Sequence, residues 1–185
     1  VHIPTRPIRI VTAASLYDGH DAAINIMRRI LQPQGAEVIH LGHNRSVAEI
    51  VDAAISEDAN AVAISSYQGG HIEFFKYLVD LLNERGAGHI RVYGGGGGTI
   101  VPDEIEDLHA YGVARIFSPQ DGATLGLPEM VNTIIAECDV ERPPVAADLL
   151  TQLRTGSINA LAQTITLLQD GGLPQEIRAE LPKHR

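Results

Sequence analysis

The stretch RIVTAASLYDGHDAAINIMRRIL, residues 9–31, holds one complete strand–loop–helix unit. Its apolar start, RIVTAA (9–14), predicts a buried strand. Residues 21–34 place four large apolar side chains at helical spacing, which predicts a helix. A short polar loop joins the two, an arrangement typical of a parallel sheet covered by helices.

The same unit recurs four more times along the chain. The predicted strands are 36–41, 61–66, 89–94 and 113–118, and the predicted helices are 46–57, 71–84, 102–110 and 124–137. Ser46 and Glu49 are spaced to form a capping box at the start of the second helix. Five such units predict an α/β fold: a flavodoxin-like (Rossmann-like), doubly wound, five-stranded parallel sheet in the order 2-1-3-4-5.

The composition changes where the predicted sheet domain ends. DVERPPVA (139–146) is typical of a linker, and 147–170 is a helical pattern that includes Leu161, Ile165 and Leu168. LPQEIRAELPKHR (173–185) predicts another short helical piece. We therefore expect a sheet domain at 1–139 and a helical linker or adaptor at 140–185; a packing helix pair, or the start of a part absent from this chain, are the alternatives.

The charge balance excludes some classes of protein. With 14 basic and 23 acidic residues the net charge is -9, which argues against binding to nucleic acid or to an anionic membrane. The apolar runs are far shorter than the roughly 20 residues that a membrane span needs. The start VHIPTRPIRIV shows no signal peptide, and the single Cys138 is expected to be a buried thiol. The expected compartment is the cytoplasm.

Four loops rich in glycine, serine and aspartate follow the carboxyl ends of predicted strands. They are LYDGHD (16–21), SSYQGGH (65–71), GGGGGT (94–99) and SPQDG (118–122). In a doubly wound sheet, ligands bind beyond the carboxyl ends of the strands. The loops therefore predict a pocket at that edge without naming its ligand.

The five glycines 94–98 allow two interpretations. They can form a flexible turn, or they can remove every Cβ so that a large flat or phosphorylated ligand lies against the backbone. The nucleotide motifs do not fit, because the chain lacks G-x-x-x-x-G-K-[ST] and Thr99 stands where a dinucleotide fingerprint has its third glycine. That fingerprint also belongs after the first strand.

The side chains of S-S-Y alternate between the two faces of the third strand. Ser66 is expected to end the strand with a satisfied hydroxyl. Ser65 and Tyr67 point to the other face, where a ligand inserted beside the sheet would meet them.

The D-G-H-D sequence (18–21) is only partly explained as a capped turn. Asp18 and Gly19 suit a turn, and Asp21 suits a helix cap. His20, two residues after an acid, suits a metal ligand whose other ring nitrogen donates to a carboxylate, here Asp18.

A single histidine does not make a metal site alone. His40 and His43 also lie near the rim, so three histidines allow a zinc site, although a fourth ligand is not evident. Otherwise the metal must arrive with its other ligands already in place, as it does in a macrocyclic cofactor.

Three motifs together resemble those of a known family. D-G-H-D-A-A (18–23), S-S-Y (65–67) and G-G (97–98) resemble the D-x-H-x-x-G … S-x-L … G-G pattern of cobalamin-binding domains. The resemblance covers about residues 8 to 139. Ala23 stands in place of the usual glycine, and Tyr67 stands in place of leucine.

Within that family the chain resembles acyl-CoA mutases, and among them the fused isobutyryl-CoA mutase type. The similar segments are TAASLYDGHDAAINIMRRIL, IHLGHNRSVAEIV, ISSYQGGHIEFFKYL and YGGGGGTIVPDEI, and the tail from 147 is similar to the linker to a G-protein chaperone domain. The resemblance implies a substrate-binding barrel and a G-protein chaperone domain, in the same or a partner chain, with acyl-CoA reached through the barrel.

The resemblance also implies the cofactor and its site. The cofactor would be adenosylcobalamin, bound base-off, with His20 as the lower axial ligand of cobalt. The implied cofactor-binding residues are Asp18, Gly19, His20, Asp21, Ala22, Ala23, Ile24, Ser65, Tyr67, Gly69, Gly70, Gly97, Gly98, Phe117, Ser118 and Pro119. The implied reaction is a radical rearrangement of the isobutyryl-CoA/n-butyryl-CoA type. This chain would carry no catalytic residue and would bind the cofactor without turning over substrate.

Two other classes of function remain as alternatives. A cobalamin-binding sensor or methyl-carrier domain usually has a helical bundle before the sheet, whereas only about seven residues precede the first strand here. A flavodoxin-like signalling domain without cofactor is the other. A receiver of that kind needs an acceptor aspartate at the end of the third strand, where Ser65 and Ser66 stand.

Overall fold

The computed structural model describes residues 1–181, so the end of the helical piece predicted at 173–185 lies outside the described residues. In this part of the chain, five strands alternate with helices and three further helices follow. The strands are β1 Ile8–Ser15, β2 Ala36–Arg45, β3 Ala61–Ser65, β4 Arg91–Gly95 and β5 Arg115–Phe117. The helices are α1 Ala22–Leu31, α2 Val47–Ser56, α3 His71–Glu84, α4 Pro102–Tyr111, α5 Pro119–Leu125, α6 Leu127–Cys138, α7 Leu149–Arg154, α8 Ile158–Gln169 and α9 Gln175–Glu180.

All five strands lie in one parallel sheet in the order β2-β1-β3-β4-β5. The predicted flavodoxin-like fold and strand order are therefore confirmed. From β1 the chain continues to β2 on one side of β1, and then crosses to β3 on the other side. The loops after β1 and β3 meet at this switch point, which is where a ligand binds in folds of this kind.

Each face of the sheet is covered by its own apolar layer. Val11 and Ala13 of β1 pack toward α2 and α3, whereas Ile8 and Ile10 pack toward α1 and α6. This division follows from the alternation of side chains along a strand. Each large aliphatic side chain that is fully buried contributes about 2 kcal/mol. Both layers are continuous, so the sheet is a rigid support for its loops.

Two predicted helix features are wrong in detail. The helix predicted at 124–137 is two helices, because Gly126 has a φ of 77° and breaks the chain between α5 and α6. The side chain of Asp21 makes no capping bond, because the backbone there is helical (φ −95°, ψ −2°) rather than extended. The capping box of Ser46 and Glu49 is confirmed.

The pattern predicted at 147–170 forms two helices, α7 and α8, separated by a turn. With α9 they enclose a small core of Leu149, Ala160, Leu173 and Ile177. Helix α8 packs on α2 near the amino ends of the strands, where the Arg9 guanidinium donates to Thr166 Oγ1 at 3.0 Å. None of the helices within residues 1–181 is long and apolar enough to cross a membrane.

Candidate cofactor site

The loop after β1 is held by the neighbouring strand. Tyr17 adopts a left-handed conformation (φ 63°), which is unfavourable for a residue other than glycine. The Asn44 side chain accepts the Tyr17 N–H at 2.8 Å, and the Asn44 N–H donates to Asp18 O at 3.2 Å. Strand β2 runs past its predicted end at 41 to Arg45, and this extension brings Asn44 to the loop. The strained turn is thus fixed from two sides.

Asp18 is fully buried and gathers three N–H groups. Its Oδ1 accepts from the His20 backbone at 2.8 Å and from His20 Nδ1 at 2.9 Å, and its Oδ2 accepts the Tyr67 N–H at 2.5 Å. A carboxylate is an acceptor only, so Nδ1 carries the proton of the imidazole. In the neutral imidazole, Nε2 is then the nitrogen with the free lone pair, on a side chain that is 67% exposed.

The loop after β3 is tied to the histidine loop. The ring of Tyr67 lies 5.8 Å from the ring of His20, between centroids. Ser66 behaves as expected at the end of the strand, since its Oγ accepts a hydrogen bond from Ser15 Oγ at 3.0 Å. Ser65 Oγ is buried and has no hydrogen-bond partner within residues 1–181. A buried hydroxyl left in this state is costly and is ready to bind a polar ligand atom.

A cavity of about 260 Å³ opens beside Ser65, between the sheet and the pair α1 and α6. Its wall is mostly apolar. Its lining includes buried Tyr93, Met130 and Ile134, together with residues of the loops after β3, β4 and β5. A cavity with an apolar wall and few polar groups is the usual form of a small-molecule site.

Three of the glycines in the run 94–98 are required by packing inside the protein. A Cβ at Gly94 would lie 2.4 Å from the Phe75 ring, and one at Gly96 would lie 2.2 Å from Ser66 O. At Gly97 it would lie 2.2 Å from the Tyr67 ring. These three glycines therefore let the protein pack against itself, a reason that the sequence did not disclose.

The predicted site residues divide into two groups in the structure. Those that line the cavity are Ala23, Ile24, Ser65, Tyr67, Gly97, Phe117, Ser118 and Pro119. Asp18, Gly19, His20, Asp21 and Ala22 form the loop and helix start after β1, Gly69 and Gly70 precede α3, and Gly98 follows Gly97 with Pro119 3.5 Å from its ideal Cβ. The Ser118 hydroxyl is already engaged, because it donates to Asp121 and caps α5.

Sequence reasoning missed lining residues on α1, β3, β4, α5 and α6. They are Ile26, Met27, Leu31, Ala63, Ile64, Tyr93, Gly122, Leu127, Met130 and Ile134, and Gly94, Gly95 and Gly96 of the glycine run also line the cavity. The α6 members follow helical spacing, so a signal was present. Apolar spacing alone does not distinguish a cavity wall from an ordinary packing face.

Other titratable groups near the site are engaged or buried. Burial, and then the charge of Arg28, lowers the pKa of His40, whose Nδ1 lies 2.9 Å from Thr12 Oγ1. Burial raises the pKa of Cys138 to about 11, so its thiol stays protonated. Within residues 1–181, no three His, Cys, Asp or Glu side chains converge as a metal site would require. His20 therefore suits a metal that brings its other ligands with it.

The fold and the edge cavity define a doubly wound domain that binds its ligand beyond the carboxyl ends of the strands. The model of the B12 binding domain matches residues 8–127, and the chain belongs to this family. The resemblance seen in the three motifs is thereby confirmed, and cobalamin is the cofactor of the domain.

Known relatives agree with this assignment. The chain is 62% identical over 169 residues to the fused isobutyryl-CoA mutase of Geobacillus kaustophilus (strain HTA426), covering 91% of this chain but only 16% of that protein. It is 38% identical over 131 residues to the 2-hydroxyisobutanoyl-CoA mutase small subunit of Aquincola tertiaricarbonis, covering 70% of this chain and 93% of the subunit. A crystal structure of a cobalamin-binding protein from Desulfitobacterium hafniense DCB-2 is 25% identical, with a TM-score of 0.57 over 72% of this chain and 59% of that one.

The residues present fit a cobalamin. Its metal arrives with a macrocycle that supplies most of the ligands, so one exposed imidazole is sufficient at the edge. The apolar cavity suits an aromatic base, and the unpartnered Ser65 hydroxyl offers one polar contact inside it.

Proposed function

We propose that this chain is the cofactor domain of an acyl-CoA mutase, an isomerase, and that it would bind adenosylcobalamin base-off, with His20 holding the cobalt. One observation carries the proposal: His20 is exposed beside the cavity while fully buried Asp18 fixes its ring. The 62% identity to a fused isobutyryl-CoA mutase supports the reaction class, although the chain spans 16% of that protein.

His20 and Asp18 act as a pair. Asp18 accepts the Nδ1 proton and so holds the tautomer in which Nε2 is free to bind a metal. A carboxylate behind a ligating histidine also raises the basicity of the ligand. The Tyr67 N–H donates to the second oxygen of Asp18 and so links the position of the carboxylate to the loop after β3.

The cavity would hold the nucleotide tail of the cofactor, with His20 holding the metal in place of the base of that tail. Ala23 and Ile24 of α1 form one wall, and Phe117 and Pro119 form part of the other. Ser65 Oγ would bond to a polar atom of the tail, which would satisfy the group that is unpartnered in this structure. The remaining predicted residues of the loops after β1, β3 and β4 would close around the mouth.

A bound adenosylcobalamin would supply the radical chemistry of the carbon-skeleton rearrangement. The residues of this chain would bind and orient the cofactor and exclude water from its tail, and contacts to the acyl-CoA would come from the barrel. A substrate-binding barrel and a G-protein chaperone domain would supply the other parts. On this proposal residues 1–139 form the cobalamin domain, and 140–185 connect it to the rest of the enzyme.

The visible spectrum of adenosylcobalamin tests the proposal. Titration with the wild-type chain is expected to give the base-off, histidine-ligated spectrum, and His20→Ala is expected to lose it. His43→Ala is the matched control, because His43 is an exposed histidine on the neighbouring strand and should leave the spectrum as in the wild type. Failure of the wild type to retain the cofactor, or the same spectrum in His20→Ala, would contradict the proposal.

A further inference from the structure

Helix α8 has its large apolar side chains on the outside. The outward-facing residues are Ile158 (61% exposed), Leu161 (52%), Ile165 (48%) and Leu168 (41%). Their spacing of three, four and three residues places them on one face over three turns of helix. We refer to these four residues as the outer stripe.

The inward faces of α8 carry small side chains instead. Ala160, Ala162, Thr164 and Thr166 are buried. The two threonine hydroxyls donate to carbonyls of their own helix, Thr164 to Ala160 O at 2.7 Å and Thr166 to Ala162 O at 3.2 Å. A helix on a protein surface normally turns its apolar face inward and its polar face to water. Helix α8 has the reverse pattern, which is the pattern of a helix that is covered on both sides.

The chemistry of α8 favours a protein as the covering partner. The helix, INALAQTITLLQ, contains no charged residue, although 20% of the chain is charged. Helices that lie on membrane surfaces carry Lys and Arg on their polar face, and this one has none in a chain with a net charge of -9. An uncharged apolar face of another protein domain complements the outer stripe best.

The relatives indicate where that domain belongs. The match to the fused mutase covers 91% of this chain, so it includes most of the tail beyond residue 139. The match to the separate small subunit is 131 residues long and covers 93% of that subunit, and the segment Ile8–Cys138 accounts for this length by itself. The tail is therefore shared with the fused relative, whereas the small subunit has no room for both the sheet domain and the tail.

We propose that the outer stripe docks on an uncharged apolar face of the polypeptide that is fused to this domain in such enzymes. This docking proposal rests on the proposed function in one respect: the fused polypeptide is taken to be the rest of the mutase. Helix α8 would then lie between two surfaces: its small side chains pack on the sheet domain, and its large ones pack on the fused partner. The tail would fix the position of the cobalamin domain through packing rather than act as a loose tether.

Cysteine labelling tests the docking directly. The matched segment of the Geobacillus kaustophilus fused enzyme is replaced by this chain carrying Leu161→Cys, and its labelling rate by a thiol reagent is compared with that of the same variant of the 185-residue chain. We expect labelling to be about tenfold slower in the fused enzyme, corresponding to a covered state that is favoured by about 1.4 kcal/mol. The native Cys138 is buried and does not compete. Glu84→Cys, at the exposed end of α3, is the control and should label at the same rate in both proteins.

Each other outcome overturns the proposal. Equal rates for Leu161→Cys in the two proteins, repeated with Ile165→Cys, would show that the fused polypeptide does not cover the stripe. Slow labelling in the 185-residue chain, together with a doubled mass in sedimentation, would show that a second copy covers it instead. Cobalamin titration of the same variants tests the proposed function separately from the docking. A chain that does not bind cobalamin would contradict the proposed function, whereas the labelling result would still stand.

Discussion

The two ends of the sheet have opposite characters. At the carboxyl end, His20 is exposed, Ser65 Oγ is unpartnered within residues 1–181, and a cavity of about 260 Å³ enters the domain. At the amino end, the Arg9 guanidinium donates to four groups, which lie on β2, at the end of α2 and in the tail, and Arg142 pairs with buried Asp58. A smaller cavity of about 150 Å³ remains there under the tail.

This difference shows how one parallel sheet separates binding from stability. All strands point the same way, so the loops that carry ligand-binding groups collect at one edge. Polar groups left without partners at that edge reduce stability. The amino end, where charged groups are paired and the tail covers them, offsets this cost.

Removal of the Asp18 carboxylate should have the largest effect. Asp18→Ala leaves three part-buried N–H groups without their acceptor, and we expect the free energy of unfolding to fall by about 3 kcal/mol. Urea denaturation measures this change. Asp21→Ala is the matched control, because its side chain makes no capping bond, and it should cost less than about 0.5 kcal/mol. Equal losses in the two variants would contradict the role given to Asp18.

A change at the amino end should lower stability without affecting the cofactor. Arg142→Ala leaves the Asp58 carboxylate unpaired, with an expected loss of about 2 kcal/mol in urea denaturation and unchanged cobalamin affinity. Arg154→Ala removes an exposed ion pair with Glu180 and serves as the control, with little expected effect. Weaker cobalamin binding by Arg142→Ala would show that the two ends are not separate.

The two adjacent serines at the end of β3 are expected to respond in opposite ways to substitution. Ser65→Ala removes an unpartnered buried hydroxyl, and we expect a gain of about 1 kcal/mol in stability together with weaker cobalamin binding. Ser66→Ala breaks the hydrogen bond from Ser15, and we expect a loss of about 1 kcal/mol with binding retained. Urea denaturation and a spectral titration check both variants. The interpretation of Ser65 fails if the two serines respond alike.

The strand order and the pairing of Asp18 with His20 were predicted from the sequence. The strand order follows from the repeated strand–helix pattern, and the pairing joins residues two positions apart. The sequence did not predict the contact of Asn44 with the loop after β1, which depends on β2 running past its predicted end. The packing reasons for Gly94 and Gly96 require neighbours that are distant in the chain.

Helix α8 shows a different kind of limit. Its apolar spacing predicted a helix but did not indicate which face packs inward. The structure places the small side chains inside, because Ala160 and Thr164 allow close approach of the neighbouring helices, and leaves the large ones outside.

We propose that Nε2 of His20 binds the cobalt of cobalamin. Electron paramagnetic resonance of the chain loaded with cob(II)alamin tests it when the histidines are labelled with ¹⁵N and the cofactor is not. We predict that the splitting from the axial nitrogen changes from a triplet to a doublet on labelling, and that the doublet persists in His43→Ala. A triplet that is unchanged by the label would show that the base of the cofactor remains on the metal and would contradict the claim.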